Sequence, residues 1–342
     1  MTATAILAAL LVFSSVPAIM AQNSAPYRVL MTKTVGGEDR YDYVYADVSG
    51  RRLYVPRLGP AGAMSVFDLD TLAPVGSIAN TSGHGAAIDE KTHHGFASSK
   101  PVTMWDSRSL ATIKSIDVQG GPDRIAADSF NGRIYVMSHS APIVTVIDAK
   151  DGAVVGTIDL GGAAEEAVSD GKGRVYIDVE DKANIAVVDA KTLTVIAHYD
   201  LAGKGGTCAG LAIDRKNNIL FAACRNPQAM VVVNAGDGRI LAALPIGSGA
   251  DGAAFNPNTM EAFASLADGT LAVVKEESPT TFSLEQTVQT KAGAKTLALD
   301  TKTNHLLLIA ADFTPPPATA AGAPAGRPQM IPGTFSIIVV GK

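Results

Sequence analysis

The chain has 342 residues, a mass of 35.2 kDa and a formal net charge of −5, with a pI near 5.7. This length exceeds what a single compact core usually supports, so it predicts either two domains or an array of repeats. The sequence has no cluster or stripe of Lys and Arg. Nucleic acid is therefore not expected as a partner, because a phosphate backbone demands such a surface.

Residues 1–21 have the pattern of a secretory signal peptide. An apolar run from Ile6 to Val12 is followed by Pro17 and Ala18 and, after Ala21, by a polar segment. The pattern predicts cleavage after Ala21 and a periplasmic or secreted mature protein. The apolar run is too short to span a membrane, and no later segment reaches the roughly 18 apolar residues that a spanning helix requires.

From residue 41 onward, the chain repeats one unit of roughly forty residues. A complete unit has a short apolar strand, a polar turn that opens with Asp or Asn, an aromatic-led strand, a β-branched strand and a fourth strand. The turn residues recur at spacings of 42, 39, 42, 44, 42 and 44 and are Asp47, Asp89, Asp128, Asp170, Asp214, Asn256 and Asp300. Seven such anchors predict an all-β fold, a seven-bladed β-propeller with four-stranded blades.

The third unit shows the pattern most clearly, with Arg133–Met137, Ile143–Asp148 and Ala153–Leu160 as its last three strands. Through these segments the chain resembles the YVTN-repeat family of bacterial β-propellers, and the resemblance extends from Tyr41 to the C terminus. It implies an exported protein with the propeller architecture. It implies little about function, because members of such a family share a fold and differ in role.

The two ends of the chain complement each other. The seventh unit has no fourth strand after Phe335–Val340, because the chain ends at Lys342, whereas Tyr27–Val35 has a fourth-strand pattern and no unit of its own. We therefore expect the N-terminal strand to complete the seventh blade and close the ring, which hides two sheet edges. Residues 22–342 are predicted to form one propeller domain, and we expect a monomer.

Polar residues recur where the innermost strand of each blade begins. The innermost strands begin at one face, here termed the top face, so these side chains should surround the channel mouth. Counting five residues back from each anchor gives Asp42, His84, Asp123, Glu165, Ala209, Asp251 and Lys295. The alternative is a solvated polar rim that binds no ion.

Carboxylate and imidazole groups around a mouth suit a divalent cation. The oxygens favour Ca²⁺ or Mg²⁺, and the imidazole makes Zn²⁺ or Mn²⁺ suitable. The predicted metal ligands are Asp42, His84, Asp123, Glu165 and Asp251. Within this set, His84, Asp123 and Glu165 come from neighbouring blades and are expected to form the closest cluster.

The loops after the second strands return to the same top face. Arg57, Lys100, His139, Glu180 and Arg225 fall in these loops and are predicted to bind a ligand, with the two arginines suited to a carboxylate. His84 and His139 are the two histidines that reach the top face, and either is a candidate general base. A solvated loop histidine is the alternative for His139.

Two cysteines, Cys208 and Cys224, flank the first hairpin of the fifth unit. If that hairpin turns at residues 215–218, the two side chains lie opposite each other on adjacent strands. In an oxidising compartment this arrangement favours a disulfide over a reactive thiol.

The segment Thr314–Gly333 is rich in Pro and Ala and joins the second and third strands of the seventh unit. Proline-rich sequence is extended and needs no packed core. The segment is predicted to be either a flap over the channel mouth, with Arg327 or Met330 touching a ligand, or a disordered excursion.

Two functions are consistent with these patterns. The first is a binding or scaffold protein that holds a small ligand, a metal ion or a protein partner at the top face. The second is a metal-dependent hydrolase or lyase in which a carboxylate or histidine at the mouth serves as base. Binding is favoured because no nucleophile, base and orienting group can be assembled from the sequence, so whether the protein is an enzyme stays open.

Overall fold

The structure, a computed structural model, describes residue 1 and residues 26–37, 40–59, 62–141, 143–315 and 328–342. These residues form seven four-stranded antiparallel sheets. Apart from Met1, the predicted signal peptide at residues 1–21 lies outside the described residues. No helix within the described ranges is long and apolar enough to cross a membrane.

Each sheet is one blade, and the strands are numbered in chain order after β1 (Arg28–Thr34). Blade 1 has β2 (Tyr45–Asp47), β3 (Arg52–Arg57), β4 (Ala63–Asp68) and β5 (Pro74–Ala79). Blade 2 has β6 (Ala86–Asp89), β7 (His94–Ala97), β8 (Val102–Asp106) and β9 (Thr112–Ile116). Blade 3 has β10 (Pro122–Asp128), β11 (Arg133–Ser138), β12 (Val144–Asp148) and β13 (Val154–Ile158).

Blade 4 has β14 (Ala164–Ser169), β15 (Arg174–Val179), β16 (Asn184–Asp189) and β17 (Thr194–Asp200), with a short 3₁₀ helix at Glu180–Lys182. Blade 5 has β18 (Cys208–Asp214), β19 (Ile219–Arg225), β20 (Gln228–Asn234) and β21 (Ile240–Pro245). Blade 6 has β22 (Ala250–Asn256), β23 (Glu261–Leu266), β24 (Thr270–Ser278) and β25 (Thr281–Gln289). Blade 7 has β26 (Leu297–Asp300), β27 (His305–Ala310), β28 (Ser336–Gly341) and β1.

The first strands of the blades surround a central channel. Each first strand contacts the first strand of the next blade, in the order β2, β6, β10, β14, β18, β22 and β26, and β26 contacts β2. This closed circle confirms the predicted seven-bladed β-propeller. The innermost strands therefore line the channel, and their starts are brought together at the top face.

The aromatic residue that leads the second strand of each unit packs between blades. In blades 1 to 6, the third residue of the second strand is a fully buried aromatic residue. In blade order these residues are Tyr54, Phe96, Tyr135, Tyr176, Phe221 and Phe263. Tyr135, for example, packs against Val175 and Ile177 of blade 4. In blade 7 the equivalent residue is Leu307, which packs against blade 1. These side chains hold neighbouring blades together, because burying large apolar groups away from water is favourable.

The ring closes as the sequence predicts. β1 pairs antiparallel with β28, from Arg28 opposite Gly341 to Thr34 opposite Ser336. Next to this strand pair, residues from both sides of the closure contact the buried Glu261 of blade 6. The Tyr27 hydroxyl donates to Glu261 Oε2 at 2.5 Å, and Lys342 Nζ lies 2.6 Å from Glu261 Oε1. The seventh blade thus takes strands from both ends of the chain.

The anchor residues stabilise the turns between the first and second strands. Asp47 accepts a hydrogen bond from the Gly50 amide at 2.8 Å, and Asp89 accepts one from the Thr92 amide at 2.9 Å. In blade 4 the innermost strand ends at Ser169, one residue before the predicted anchor Asp170. Asp170 accepts hydrogen bonds from turn amides in the same manner. The repeat spacing therefore reflects a turn chemistry that each blade requires.

The insertion Thr314–Gly333 is described only at its ends. Phe313 forms a bridge with Met330, and the Thr314 amide donates to the Gln329 carbonyl at 2.8 Å. Residues 316–327, including Arg327, lie outside the described part of the chain. The proposed contact between this segment and a ligand stays a prediction.

Candidate functional site

The innermost strands of blades 3 to 6 carry a β-bulge at their top ends. In β10, Asp123 and Arg124 lie between the residue pairs Pro122–Ser138 and Ile125–Val136, so two residues stand opposite one residue of β11. β14 has the same irregularity, and β18 and β22 each have one extra residue at this position. The residues in these bulges are Asp123, Arg124, Glu165, Glu166, Ala209 and Asp251. A β-bulge changes the direction of side chains, so consecutive residues need not point to opposite faces of the sheet.

Charged side chains at the top face form a closed ring in which acids and bases alternate. Within the described residues, its members in order are Asp42, His84, Asp123, His139, Glu165, Arg225, Asp251 and Lys295, and Lys295 returns to Asp42. We term these eight residues the mouth ring. Six of them are the charged residues found by counting back from the anchors. The other two, His139 and Arg225, come from the ends of second strands or the loops that follow.

The histidine half of the mouth ring is centred on Asp123. His84 Nδ1 lies 2.7 Å from Asp42 Oδ2 and 3.0 Å from Asp123 Oδ1. His139 Nε2 lies 3.5 Å from Asp123 Oδ2 and 2.8 Å from Glu165 Oε2. Asp123 therefore presents one carboxylate oxygen to each imidazole.

The other half of the mouth ring contains the two permanent cations. Arg225 pairs with Asp251, donates from Nη1 to Glu180 at 2.9 Å, and has its Nη2 4.0 Å from Glu165 Oε1. Lys295 also pairs with Asp251, and its Nζ lies 3.5 Å from Asp42 Oδ1. Asp251 is buried between the two cations.

The contacts of the mouth ring shift the pKa values of its members. The hydrogen bond to Asp42 raises the pKa of His84, and the hydrogen bond to Glu165 raises the pKa of His139 to about 9. Burial raises the pKa of Asp123 and of Glu165. Burial also acts upward on Asp42, but the His84 hydrogen bond and the charge of Lys295 give this carboxyl a lowered pKa overall. Protonated imidazoles are thus favoured because each lies between two carboxylates.

Two groups in the mouth ring could hold a metal ion. The first is Asp42, His84 and Asp123, and the second is Asp123, His139 and Glu165. Within each group, one ligand atom from every residue lies within 4.8 Å of the others. The predicted cluster of His84, Asp123 and Glu165 is thus divided between two groups that share Asp123. Asp251, also predicted as a ligand, pairs with Arg225 and Lys295, and its role as a metal ligand stays a prediction.

A second layer of charge lies just inside the channel. Arg124 pairs with Glu166, and the Arg124 guanidinium carbon stands 3.7 Å from the centre of the Tyr43 ring. These three residues line a channel cavity of about 310 Å³. Counting one residue per blade back from the anchors does not reach Arg124 or Glu166, because a β-bulge in blades 3 and 4 turns two consecutive residues toward the channel.

Asp178 is a buried carboxyl beside the mouth ring. Its side chain is fully buried, and neither carboxyl oxygen has a hydrogen-bond partner among the described residues. Burial and the neighbouring charge of Glu165 raise the pKa of Asp178 well above its usual value. The protonated, neutral acid is therefore favoured at Asp178.

The residues predicted to bind a ligand occupy different environments. Arg225 and His139 belong to the mouth ring, and Glu180 pairs with Arg225. Arg57 is 7% exposed, lies 3.7 Å from the centre of the Phe335 ring and donates to the Gly36 carbonyl. Lys100 is exposed and donates to the Gly120 carbonyl. Their roles in ligand binding stay predictions.

The cysteines lie as the sequence predicts. Cys208 and Cys224 are opposite each other on β18 and β19, and their Sγ atoms are 2.01 Å apart. The disulfide lies at the top end of the first two strands of blade 5, directly next to Ala209 and Arg225 in the chain. It therefore covalently joins the strands that position Arg225 at the mouth.

Comparison with solved structures identifies the same architecture in other proteins. A chain described as "Crystal Structure of Mitotic Checkpoint Complex" superposes with a TM-score of 0.70 at 11% sequence identity, over 89% of this chain and 95% of that one. A chain described as "Structure of U3-55K" also gives a TM-score of 0.70, at 13% identity, over 91% of this chain and 98% of that one. At these identities the likeness shows the propeller fold alone. No protein-family model matches the chain, and no curated protein matches it in sequence.

Proposed function

We propose that this protein is a binding protein that holds a divalent transition-metal ion at the channel mouth, between Asp123, His139 and Glu165. The observation that carries the proposal is the charge balance of the mouth ring. Its four carboxylates meet two permanent cations, Arg225 and Lys295, so the ring has a charge of −2 when both imidazoles are neutral. Either two protons or one divalent cation neutralises it.

The separation of the candidate ligand atoms fits a metal centre. Ligand atoms that lie about 2.0–2.1 Å from a tetrahedral ion are about 3.4 Å from one another. His139 Nε2 is 2.8 Å from Glu165 Oε2 and 3.5 Å from Asp123 Oδ2. Small side-chain movements would therefore open this group into a coordination shell, with water in the remaining positions.

The chemistry of this group favours Zn²⁺ or Mn²⁺. Two carboxylates and one imidazole form a mixed oxygen and nitrogen set, whereas Ca²⁺ and Mg²⁺ prefer oxygen alone. Burial and the charges of Asp123 and Glu180 raise the pKa of Glu165, so a cation at this end of the mouth ring would relieve the repulsion between these carboxylates. His139 is half exposed, so the ion would be accessible to a ligand at the top face.

Binding is favoured over hydrolysis or elimination. Each candidate base, His84 or His139, is held between two carboxylates, and this arrangement stabilises the protonated imidazole rather than a free base. A catalytic role for either histidine stays a prediction.

Elemental analysis after equilibrium dialysis against Zn²⁺ or Mn²⁺ at pH 8 tests the proposal. We expect one ion per chain, and loss of that ion in Asp123→Asn and His139→Gln. His84→Gln should retain it, since His84 belongs to the other group. His198→Gln is the matched control, because His198 lies on the outermost strand β17, where it contacts Asn184.

Three results would contradict the proposal. The first is protein without a stoichiometric ion and without a thermal shift in either metal. The second is an ion that survives Asp123→Asn. The third is loss of the ion in His84→Gln but not in His139→Gln, which would assign it to the Asp42 group.

We further propose that the protein is exported, belongs to the YVTN-repeat family and acts as a monomer. The disulfide supports an oxidising compartment, which agrees with the signal pattern in residues 1–21. The repeated strands of the third unit support the family. N-terminal sequencing of the mature protein, with cleavage after Ala21, tests export, and sedimentation tests the oligomeric state.

A further inference from the structure

A second cavity at the top face lies beside the mouth ring and belongs to neither metal group. It has a volume of about 800 Å³, which is within the range of small-molecule sites. Its walls come from the segment before β2, the loop between β25 and β26, and the described ends of the insertion between β27 and β28. We term it the blade 7 pocket and define it by Arg40, Tyr41, Lys291, Lys295, Asp312 and Phe313.

The blade 7 pocket has an aromatic wall. The Tyr41 and Phe313 rings are 6.4 Å apart and inclined at 47°. Tyr41 is fixed from behind, because its ring packs edge-on against Phe335 at 4.8 Å and its hydroxyl accepts the Ala311 amide at 3.1 Å. Phe313 is 41% exposed. A flat apolar molecule could therefore cover Phe313 without displacing the core.

The exposure of Phe313 differs from the pattern elsewhere on the propeller. Among the described residues, the exposed large apolar side chains other than Met1 lie on the outermost strands β1, β5, β9, β13, β17 and β25, with two exceptions. The exceptions are Phe313 and Ile331, which both flank the insertion at the top face. An exposed aromatic group at the wall of a cavity indicates a binding surface more strongly than one on an outer strand.

The charges of the blade 7 pocket favour an anion. Three of its defining residues are cationic and one, Asp312, is acidic. Asp312 is 2.9 Å from Lys291, and Lys295 is engaged by the mouth ring. The backbone carbonyl of Arg40 accepts a hydrogen bond from the Leu58 amide at 2.7 Å, while its guanidinium has no ion pair with any described residue. Arg40 is therefore able to bind a carboxylate at the rim.

We propose that the blade 7 pocket binds a small aromatic carboxylate, whose flat body packs on Phe313 and whose carboxylate pairs with Arg40. The site is separate from the metal groups, so the proposal does not depend on the metal ion. It adds a second ligand at the top face, of a different chemical class from the cation proposed for the mouth ring.

Calorimetric titration of the metal-free mature protein with 2-naphthoate tests this proposal, with the neutral 2-naphthylmethanol as the matched probe. We expect 2-naphthoate to bind with a Kd of about 1 mM or tighter, the affinity that a ligand of about a dozen heavy atoms reaches at ordinary efficiency. The neutral probe should bind roughly threefold more weakly, because it lacks the charge that pairs with Arg40.

Two variants separate the aromatic and charged contacts. Phe313→Ala should weaken both probes about five- to tenfold, since a ring contact is lost. Arg40→Gln should weaken 2-naphthoate about threefold and leave 2-naphthylmethanol unchanged. Ile196→Ala is the control, because Ile196 is 52% exposed on an outermost strand away from the pocket.

Three outcomes would overturn the proposal. One is an absence of 2-naphthoate binding up to 5 mM, about five times the expected Kd. Another is equal affinity for the two probes in the native protein. The third is binding that Phe313→Ala leaves unchanged. Metal binding at the mouth ring is measured independently, so a failure here leaves the proposed function intact.

Discussion

His139 Nε2 and Glu165 Oε2 lie 2.8 Å apart, which joins the loop after the second strand of blade 3 to the innermost strand of blade 4. The contact crosses a blade boundary at the channel mouth. It is also where a proton and a metal ion would compete, because the imidazole can hold one or the other. The ionisation of His139 therefore connects stability with the proposed function.

The first prediction concerns stability against pH. Folding raises the pKa of His139 from 6.5 to about 9, so the protonated imidazole stabilises the folded state. This contribution to the free energy of unfolding is fully present below about pH 6.5. This contribution is lost as pH rises through 9. The side chain is 50% exposed, so screening limits the effect to about 1 kcal/mol. Urea unfolding of the metal-free protein at pH 6 and pH 9.5 should show this loss. The loss should be smaller in His139→Gln, where only His84, whose pKa is also raised, still contributes.

The second prediction concerns metal affinity against pH. Below pH 9 the ion must displace the His139 proton, so we expect the association constant to rise about tenfold per pH unit between pH 6 and pH 8. Calorimetry in buffers of different ionisation enthalpy would measure the released proton. A pH-independent affinity would mean that the ion does not bind this imidazole.

The third prediction concerns closure of the ring. Deleting residues 25–36 should lower the melting temperature sharply or cause aggregation, because β28 would lose its partner. Tyr27→Phe is a milder test and should cost about 1–2 kcal/mol, since Glu261 loses a buried hydrogen bond. Thr32→Val, at an exposed position of β1, should change stability by less than about 0.5 kcal/mol. Unchanged melting of the deletion variant would contradict the role of β1.

The sequence predicts the fold more completely than it predicts the candidate site. The anchor spacing predicts the seven blades, because every blade needs the same turn and the same large buried residue in its second strand. The extra strand at the N terminus and the missing fourth strand of the seventh unit predict the closure. Counting back from the anchors also finds Asp123 and Glu165. It misses Arg124 and Glu166, since a β-bulge breaks the alternation on which the counting depends.

The sequence predicts which residues belong to the mouth ring better than it predicts which of them contact each other. Sequence spacing groups His84 with Asp123 and Glu165, whereas Glu165 pairs with His139. A loop conformation decides this contact, and loops have no periodic pattern to read. The blade 7 pocket has no sequence signal either, because its walls come from loop segments in three separate parts of the chain.

The fourth prediction concerns Arg225. Replacing it by Met removes one of the two cations beside the buried Asp251 and the partner of Glu180. We expect a loss of about 1–3 kcal/mol in the free energy of unfolding. Adding Asp251→Asn should recover part of that loss, because the uncompensated charge is removed. A further loss in the double variant would show that Arg225 does not act through Asp251.

The fifth prediction concerns the disulfide. A thiol assay on the denatured, unreduced protein should find no free thiol. The bridge closes a loop with a sequence separation of 16, so Cys208→Ser with Cys224→Ser should cost about 2–4 kcal/mol. Two thiols in the unreduced protein would contradict the bond.

Anomalous-difference diffraction from crystals equilibrated with Zn²⁺ at pH 8 tests the central claim most directly. The metal-binding account predicts a peak about 2.0–2.2 Å from the nearest atoms of Asp123, His139 and Glu165. A mouth ring without such a peak, with His139 still hydrogen-bonded to Glu165, would contradict it.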